Sequence, residues 1–307
     1  MKRAVSISIG SSRRNKAVEI ELFGEKVQIE RIGTDGDMEK AARMYQELDG
    51  MVDAFGVGGA DLGLLVDGKW YRLFSVEKIV RYVQKTPMVD GGGLKNTLEK
   101  KAAGVLDAKI GPYLDKVGRR AFIVTAVDRW GMAMSFVDAH YEHLFGDLMF
   151  TLGIGLPLAN KEHVKTMASI LMPVAGRLPF DWVYPIGKEQ EKRTPKWGKQ
   201  FAWCSVVAGD CHYIRKYMPE RMDGKVVVTN TTTPEDVEIF RKAGVKYLMT
   251  TTPVIEGRSF GTNMMEAAIA AATGRTDPVN YVNAGAYLAE LDRLVESLHL
   301  EPQLQEL

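Results

Sequence analysis

The segment Asp90-Gly-Gly-Gly-Leu-Lys95-Asn96-Thr97 sets a carboxylate, three consecutive glycines and an amine side by side. Glycines let a backbone turn inward and offer its N–H groups to an anion or a polar substrate. Lys95 is then placed to act as acid or base on a carbonyl, with Asp90 holding its charge state and Asn96 and Thr97 meeting the substrate. A tight turn followed by a solvated lysine is the plain alternative. The G-x-x-x-x-G-K spacing of a Walker loop is absent. In Gly209-Asp-Cys-His212 the histidine follows an apolar run, and Asp210 can orient it. His212 is therefore a third catalytic candidate, although a lone histidine is more often structural.

A second group of residues bears on a cofactor. Arg120-Ala-Phe-Ile-Val-Thr-Ala-Val127 is an apolar run of strand length, suited to a parallel strand buried on both faces. Met132–Ala139 has helical composition, and His140–Phe145 reads as the next strand, ending near Asp147. A dinucleotide site asks for G-x-G-x-x-G after the first strand and an acid about 20 residues on, where it meets ribose hydroxyls. Here the three glycine places hold Ala126, Asp128 and Gly131, and Asp147 stands where the acid belongs. Gly131 and Asp147 are the cofactor candidates, joined by Thr231 and Thr232 on a threonine-rich strand end. No arginine stands in the few residues after Asp147, so NAD is expected over NADP, whose 2′-phosphate an acid repels. Arg258 and Asn263, in the polar loop Glu256–Asn263, complete the substrate candidates, since an arginine clamps carboxylate or phosphate bidentately. A capping role explains the threonines, and a surface position explains Arg258, equally well.

The elements that must position these groups follow a β/α rhythm. Val5, Ile7 and Ile9 alternate, as do Val18, Ile20 and Leu22, which predicts an opening meander. Asp67-Gly68 is a two-residue hairpin turn, and Thr34-Asp-Gly-Asp37 starts a helix to Leu48. Gly111-Pro112 to Gly118 reads as a linker. Beyond it, strands at 205–208, 225–229 and 245–250 alternate with helices at 234–243 and 263–272. The expected class is α/β: an N-terminal α/β substrate domain over residues 1–115, a Rossmann-like doubly wound parallel sheet over 118–275, and a C-terminal helix in 276–307 packing back.

Composition narrows the partners. A formal net charge of +1 with interspersed signs argues against a nucleic-acid stripe or a polybasic membrane anchor. The 46% hydrophobic content supports real cores. Cys204 and Cys211 with His212 lack a metal-ligand spacing, and two lone thiols fit a reducing compartment. A cytoplasmic protein is expected, with a small-molecule substrate and a second copy of the chain as its partners.

Five runs carry a resemblance: Gly10-Ser-Ser-Arg-Arg14, Gly93-Leu-Lys-Asn-Thr97, Val127-Asp-Arg-Trp-Gly-Met132, Asn230-Thr-Thr-Thr-Pro-Glu-Asp236 and Ser259-Phe-Gly-Thr-Asn263. In them the chain resembles bacterial proteins labelled quinate 5-dehydrogenase, over nearly its whole length. The layout is loosely similar to the quinate/shikimate dehydrogenases, whose members pair a catalytic lysine and aspartate with a glycine-rich dinucleotide turn. The N-V-T-x-P-x-K and N-T-D patterns of that wider family are missing here, so Lys95 and Asp90 are functional counterparts, not matched positions. The resemblance implies an NAD(P)-dependent oxidoreductase acting on a small polar hydroxy or keto substrate of the quinate or shikimate kind. Two alternatives stand beside it: a Rossmann-like lyase or transferase without a nicotinamide, and a ligand-sensing protein without chemistry. Asp147 favours the first, and Asp128, a carboxylate beside a pyrophosphate, favours the others.

Overall fold

The computed structural model describes residues 1–180, 193–255, 258–279 and 281–307. The chain divides into two units, each drawn from three stretches of sequence. The first takes Met1–Leu94, Ile170–Gln190 and Gly261–Leu298; the second takes Lys95–Ser169, Glu191–Phe260 and His299–Leu307.

In the first unit the strands are β1 (Lys2–Ser8), β2 (Lys16–Leu22), β3 (Glu25–Gly33), β4 (Ala54–Gly58), the hairpin β5 (Gly63–Val66) with β6 (Lys69–Arg72), and β7 (Met88–Val89). The main sheet runs β2-β3-β1-β4-β7. The expected meander is replaced by a parallel pairing of β1 with β3, and only β2 is antiparallel. Burial explains the difference. β1 is buried from Ala4 to Ser8 and suits a central strand, whereas β2 buries only Val18 and Leu22 and turns Glu19 and Glu21 to solvent. Asp37 caps the helix Met38–Leu48 by accepting from Lys40 N. That helix packs Ala41 and Tyr45 onto Val5, Ile7, Phe55 and Val57. The helix Thr262–Ala272 packs along β1, β3 and β4, and Asn263 reaches Ser6 there. A Cβ on Gly56 would stand 2.9 Å from the Asn263 carbonyl oxygen, so this close approach requires glycine.

In the second unit the strands are β8 (Arg120–Ile123), β9 (Glu142–Phe145), β10 (Val206–Gly209), β11 (Val226–Thr229), β12 (Tyr247–Thr250), a short pair β13 (Val254–Ile255) and β14 (Arg258–Ser259), and β15 (Gln303–Glu306). The sheet order is β9-β8-β10-β11-β12-β15. Its first five strands are parallel, and β15 adds antiparallel to β12. This is the doubly wound α/β sheet expected from the apolar runs at 121–127, 205–208, 225–229 and 245–250. Phe122, Val207, Val227 and Leu248 are each 0% exposed, and burying such side chains contributes about 1.5–3 kcal/mol apiece. The winding reverses between β8 and β10, and ligands of such sheets bind beyond the strand carboxyl ends at that reversal.

Several expectations shift. Gly111 and Pro112 lie inside the helix Ala102–Val117, where Ile110 leaves helical geometry (φ −135°) and so accommodates the proline. No linker forms there. That helix belongs to the second unit, and the division falls after Leu94 instead of near residue 115. The helix Thr262–Ala272, read as the last of the Rossmann-like sheet, belongs to the first unit with the helix Gly285–Ser297. Nothing in the polar stretch Gln303–Glu306 signals β15, which is an edge strand. Among the described residues no helix is long and apolar enough to cross a membrane.

Candidate functional site at the switch point of the second unit

Two turns flank the reversal. After β8 the chain runs Val124–Arg129 before the helix Trp130–Asp138, and after β10 Asp210 caps the helix Cys211–Tyr217. Lys95 comes from the short helix Gly92–Asn96, and Glu99 from the 3-10 turn Leu98–Lys101 that follows it. Their spacing of four puts both on one side of the segment. Lys95 Nζ lies 2.7 Å from Asp128 Oδ1, with the side chains 8% and 24% exposed. Arg129, with its side chain 4% exposed, donates to Glu99. Its guanidinium also lies 3.4 Å from Asp210 Oδ2 and 3.6 Å from Asp128 Oδ2. Thr251, just past β12, donates to Glu99 Oε1 at 3.2 Å, and Asn230, just past β11, donates to Asp210 Oδ2 at 2.9 Å. Side chains from the ends of four parallel strands thus meet Lys95 and Glu99 in one cluster.

Burial sets the electrostatics. Glu99 is 0% exposed. Burial raises its pKa above the ordinary glutamate value, while Arg129 and Lys95 oppose the rise. For Asp210 burial also works upward, but His212 and Arg129 prevail and hold it below the usual value. Glu99 Oε2 and Thr125 Oγ1 are two of the five buried side-chain polar atoms without a hydrogen-bond partner among the described residues. Unsatisfied buried atoms are rare in native proteins and often mark a working site or an unseen ligand group. Chemically, an amine in contact with a partly exposed carboxylate can pass a proton to or from a bound carbonyl or hydroxyl.

A dinucleotide does not fit this turn in the expected manner. Asp147 is 2% exposed, and its two oxygens accept from Ala126 N and Val127 N at 3.1 and 2.9 Å. It ties the turn after β8 in place and does not face outward toward a ribose. Burial lifts its pKa to about 6 against those two hydrogen bonds. A Cβ on Gly131 would lie 2.2 Å from the Lys95 carbonyl oxygen and 2.9 Å from Asn96 Cα. The glycine thus admits the passing backbone and leaves no gap for a pyrophosphate. Asp128 fills the second glycine place with negative charge.

Residues 93–307 match the family model described as Domain of unknown function (DUF8754). The chain belongs to that family. Residues 3–90 match a second model, Domain of unknown function (DUF8753). Every member of the switch-point cluster falls within the DUF8754 region. A search of the curated proteins finds no match. Among solved structures, the chain is similar to the NAD-dependent malic enzyme of Thermotoga maritima, at 12% identity and a TM-score of 0.38, over 95% of this chain and 76% of that one. It is similar to a malic enzyme of Entamoeba histolytica at 12% identity and a TM-score of 0.35, over 87% and 55% of the two chains. It is also similar to a solute-binding protein of an ABC transporter from Burkholderia graminis C4D1M in complex with D-arabinose, at 10% identity and a TM-score of 0.35, over 100% and 94%. Likenesses at this level carry no argument about activity or ligand.

The remaining candidates separate. Asp90 accepts from Leu62 N and Gly92 N within the first unit, so it stabilises the turn after β7, while the carboxylate paired with Lys95 is Asp128. Cβ atoms on Gly91 and Gly93 would collide with Thr262 and with Leu291 and Glu266, so these glycines serve close packing, not an open anion pocket. Asn263 is bonded to Ser6 Oγ at 2.7 Å in the first unit. Thr232 is buried and its N–H donates to Ser259 Oγ; Thr231 is half-buried beside it. Asn96 is half-buried and Thr97 buried, both next to Lys95 in sequence. His212 is exposed beside Asp210. The Arg258 side chain lies outside the described residues. Sequence reasoning missed Glu99 and Arg129. The signals were the spacing of four between Lys95 and Glu99 and the charged pair Asp128-Arg129 after a buried strand.

Proposed function

We propose that the second unit is an enzyme domain performing acid–base chemistry on a small polar hydroxy or keto substrate, with Lys95 and Asp128 as the proton-transferring pair. The observation that carries this reading is the part-buried Lys95–Asp128 contact of 2.7 Å at the reversal of a doubly wound sheet. A lysine seldom lies 6% exposed unless its amine has a task or a partner that holds it there. Arg129 acts as a positioning residue, since it faces Asp128, Glu99 and Asp210 together. The runs shared with proteins labelled quinate 5-dehydrogenase support a hydroxy or keto compound as substrate. A nicotinamide-dependent reaction, with NAD ahead of NADP, is the second reading; the doubly wound parallel sheet with its reversal beside β8 is the observation in its favour.

The test is a turnover screen of hydroxy and keto compounds, with and without NAD, followed by Lys95→Met. Methionine fills a similar volume, so folding should survive. Turnover should fall by about 10²-fold or more, the scale of general acid–base help. Near-normal turnover in the variant overturns the reading. Loss of all turnover when NAD is omitted would establish the second reading.

A further inference from the structure

We propose, resting on the site reading above, that the molecule bound at this rim is uncharged and rich in hydroxyl groups, and is not a carboxylate or a phosphate. The first ground is the charge of the cluster. Three carboxylates, Asp128, Glu99 and Asp210, face two cations, Lys95 and Arg129. Both cations are already in contact with carboxylates. Arg129 is turned inward at 3% exposure, with Glu99, Asp210 and Asp128 around its guanidinium, so it is not presented as a clamp for an incoming anion. Asp128, at 24% exposure against 8% for Lys95, is the more outward of the pair. An arriving anion meets a carboxylate before it meets the amine.

The second ground is independent of charge. Glu99 Oε2 and Thr125 Oγ1 are buried and have no hydrogen-bond partner among the described residues. A hydroxyl both donates and accepts. It therefore matches Glu99 Oε2 whether that group is ionised or protonated, and it matches Thr125 Oγ1 in either sense. A substrate carboxylate matches Glu99 only in the protonated form. Because both atoms are buried, a ligand hydroxyl reaches them through a bridging water.

The experiment is isothermal titration of the full chain at pH 7 and low salt with two probes: myo-inositol, a neutral cyclic polyol, and quinate, a cyclic polyol bearing a carboxylate. Expected is tighter binding of myo-inositol by at least about fivefold, the effect of one like-charge contact at about 4 Å screened as in bulk water. Asp128→Asn should narrow the difference by improving quinate. Quinate binding as well as or better than myo-inositol overturns the proposal, and so does binding of neither. If quinate wins and Lys95→Met or Asp128→Asn changes its affinity, the site reading stands while this inference fails. If a probe binds and neither variant changes its affinity, the site reading fails as well.

Discussion

Among the described residues each unit buries one glutamate completely, and the two are held in opposite ways. Glu266 in the first unit accepts from Leu94 N at 2.8 Å, Tyr287 Oη at 2.6 Å and Tyr281 Oη at 3.2 Å, all neutral donors. Glu99 in the second unit meets a guanidinium and a threonine hydroxyl on one oxygen and nothing described on the other. Neutral donors satisfy a carboxylate without fixing its charge, and burial lifts Glu266 to about 7. Glu266 joins the turn after β7 to Tyr281, which stacks on Trp70, and to Tyr287 in the helix Gly285–Ser297, so its bonds serve the fold. Charged contacts and an unfilled lone pair at a strand-end rim are poor stabilisers and good places to bind and react.

The comparison can be broken most forcefully at Glu266. Glu266→Ala leaves two buried hydroxyls and one amide without their acceptor and opens a cavity, so unfolding free energy should drop by about 3–5 kcal/mol. Denaturant titration checks this, and a loss below about 1 kcal/mol would deny the residue its structural role. The next largest effect is with pH. Glu266 has a folded pKa of about 7, raised above that of the unfolded chain, so the folded state holds its proton longer. Its favourable contribution is complete below about pH 4 and disappears as pH rises toward 7, which removes roughly 3 kcal/mol. Asp147, raised to about 6, adds a fall of the same sign between about pH 4 and 6. Melting temperature should therefore decline from pH 5 to pH 8, and Glu266→Gln should flatten the decline. A flat wild-type profile would remove this account of Glu266.

Smaller effects are expected in the second unit. Gly131→Ala forces the Lys95–Asn96 backbone away from the helix Trp130–Asp138 and should destabilise by about 2 kcal/mol, with altered reactivity of Lys95 toward an amine-modifying reagent. Unchanged stability would mean that the contact yields freely. Smallest of all is Glu99→Gln. Glutamine keeps an acceptor for Arg129 and Thr251, and Arg129 keeps Asp210 and Asp128 nearby, so stability should fall by about 1 kcal/mol. A loss as large as that of Glu266→Ala would erase the contrast between the two glutamates.

Much of the scaffold was legible because fully buried parallel strands read as unbroken apolar runs: β8, β10, β11 and β12 follow Ala121–Ile123, Val206–Val207, Val226–Val228 and Leu248–Met249. Asp37 and Thr233 were legible as helix caps for the same local reason. The site was legible only in part. Lys95 stood out, but its partner did not, because Asp90 and Asp128 are both carboxylates at strand ends and only the path of the chain selects between them. Gly91, Gly93 and Gly131 look the same in sequence whether they open a ligand loop or let a helix pass. Here the neighbouring Thr262, Glu266 and Lys95 decide that they do the latter.

The interleaving of the two units has a consequence for how the chain is made. The DUF8753 match ends at residue 90, yet the strands it contains are packed by the helix Thr262–Ala272, and the first unit also draws on Gly261–Leu298. A ribosome adding about 5–20 residues per second needs roughly 10–40 s to travel from the end of β7 to the end of the helix Gly285–Ser297. Through that interval the nascent sheet holds Ser6 and Gly56 uncovered, and it closes only when a segment from far downstream arrives. Expressed alone, residues 1–94 should therefore aggregate or remain unfolded, and a break in the chain near residue 94 should be tolerated only if both pieces are present together.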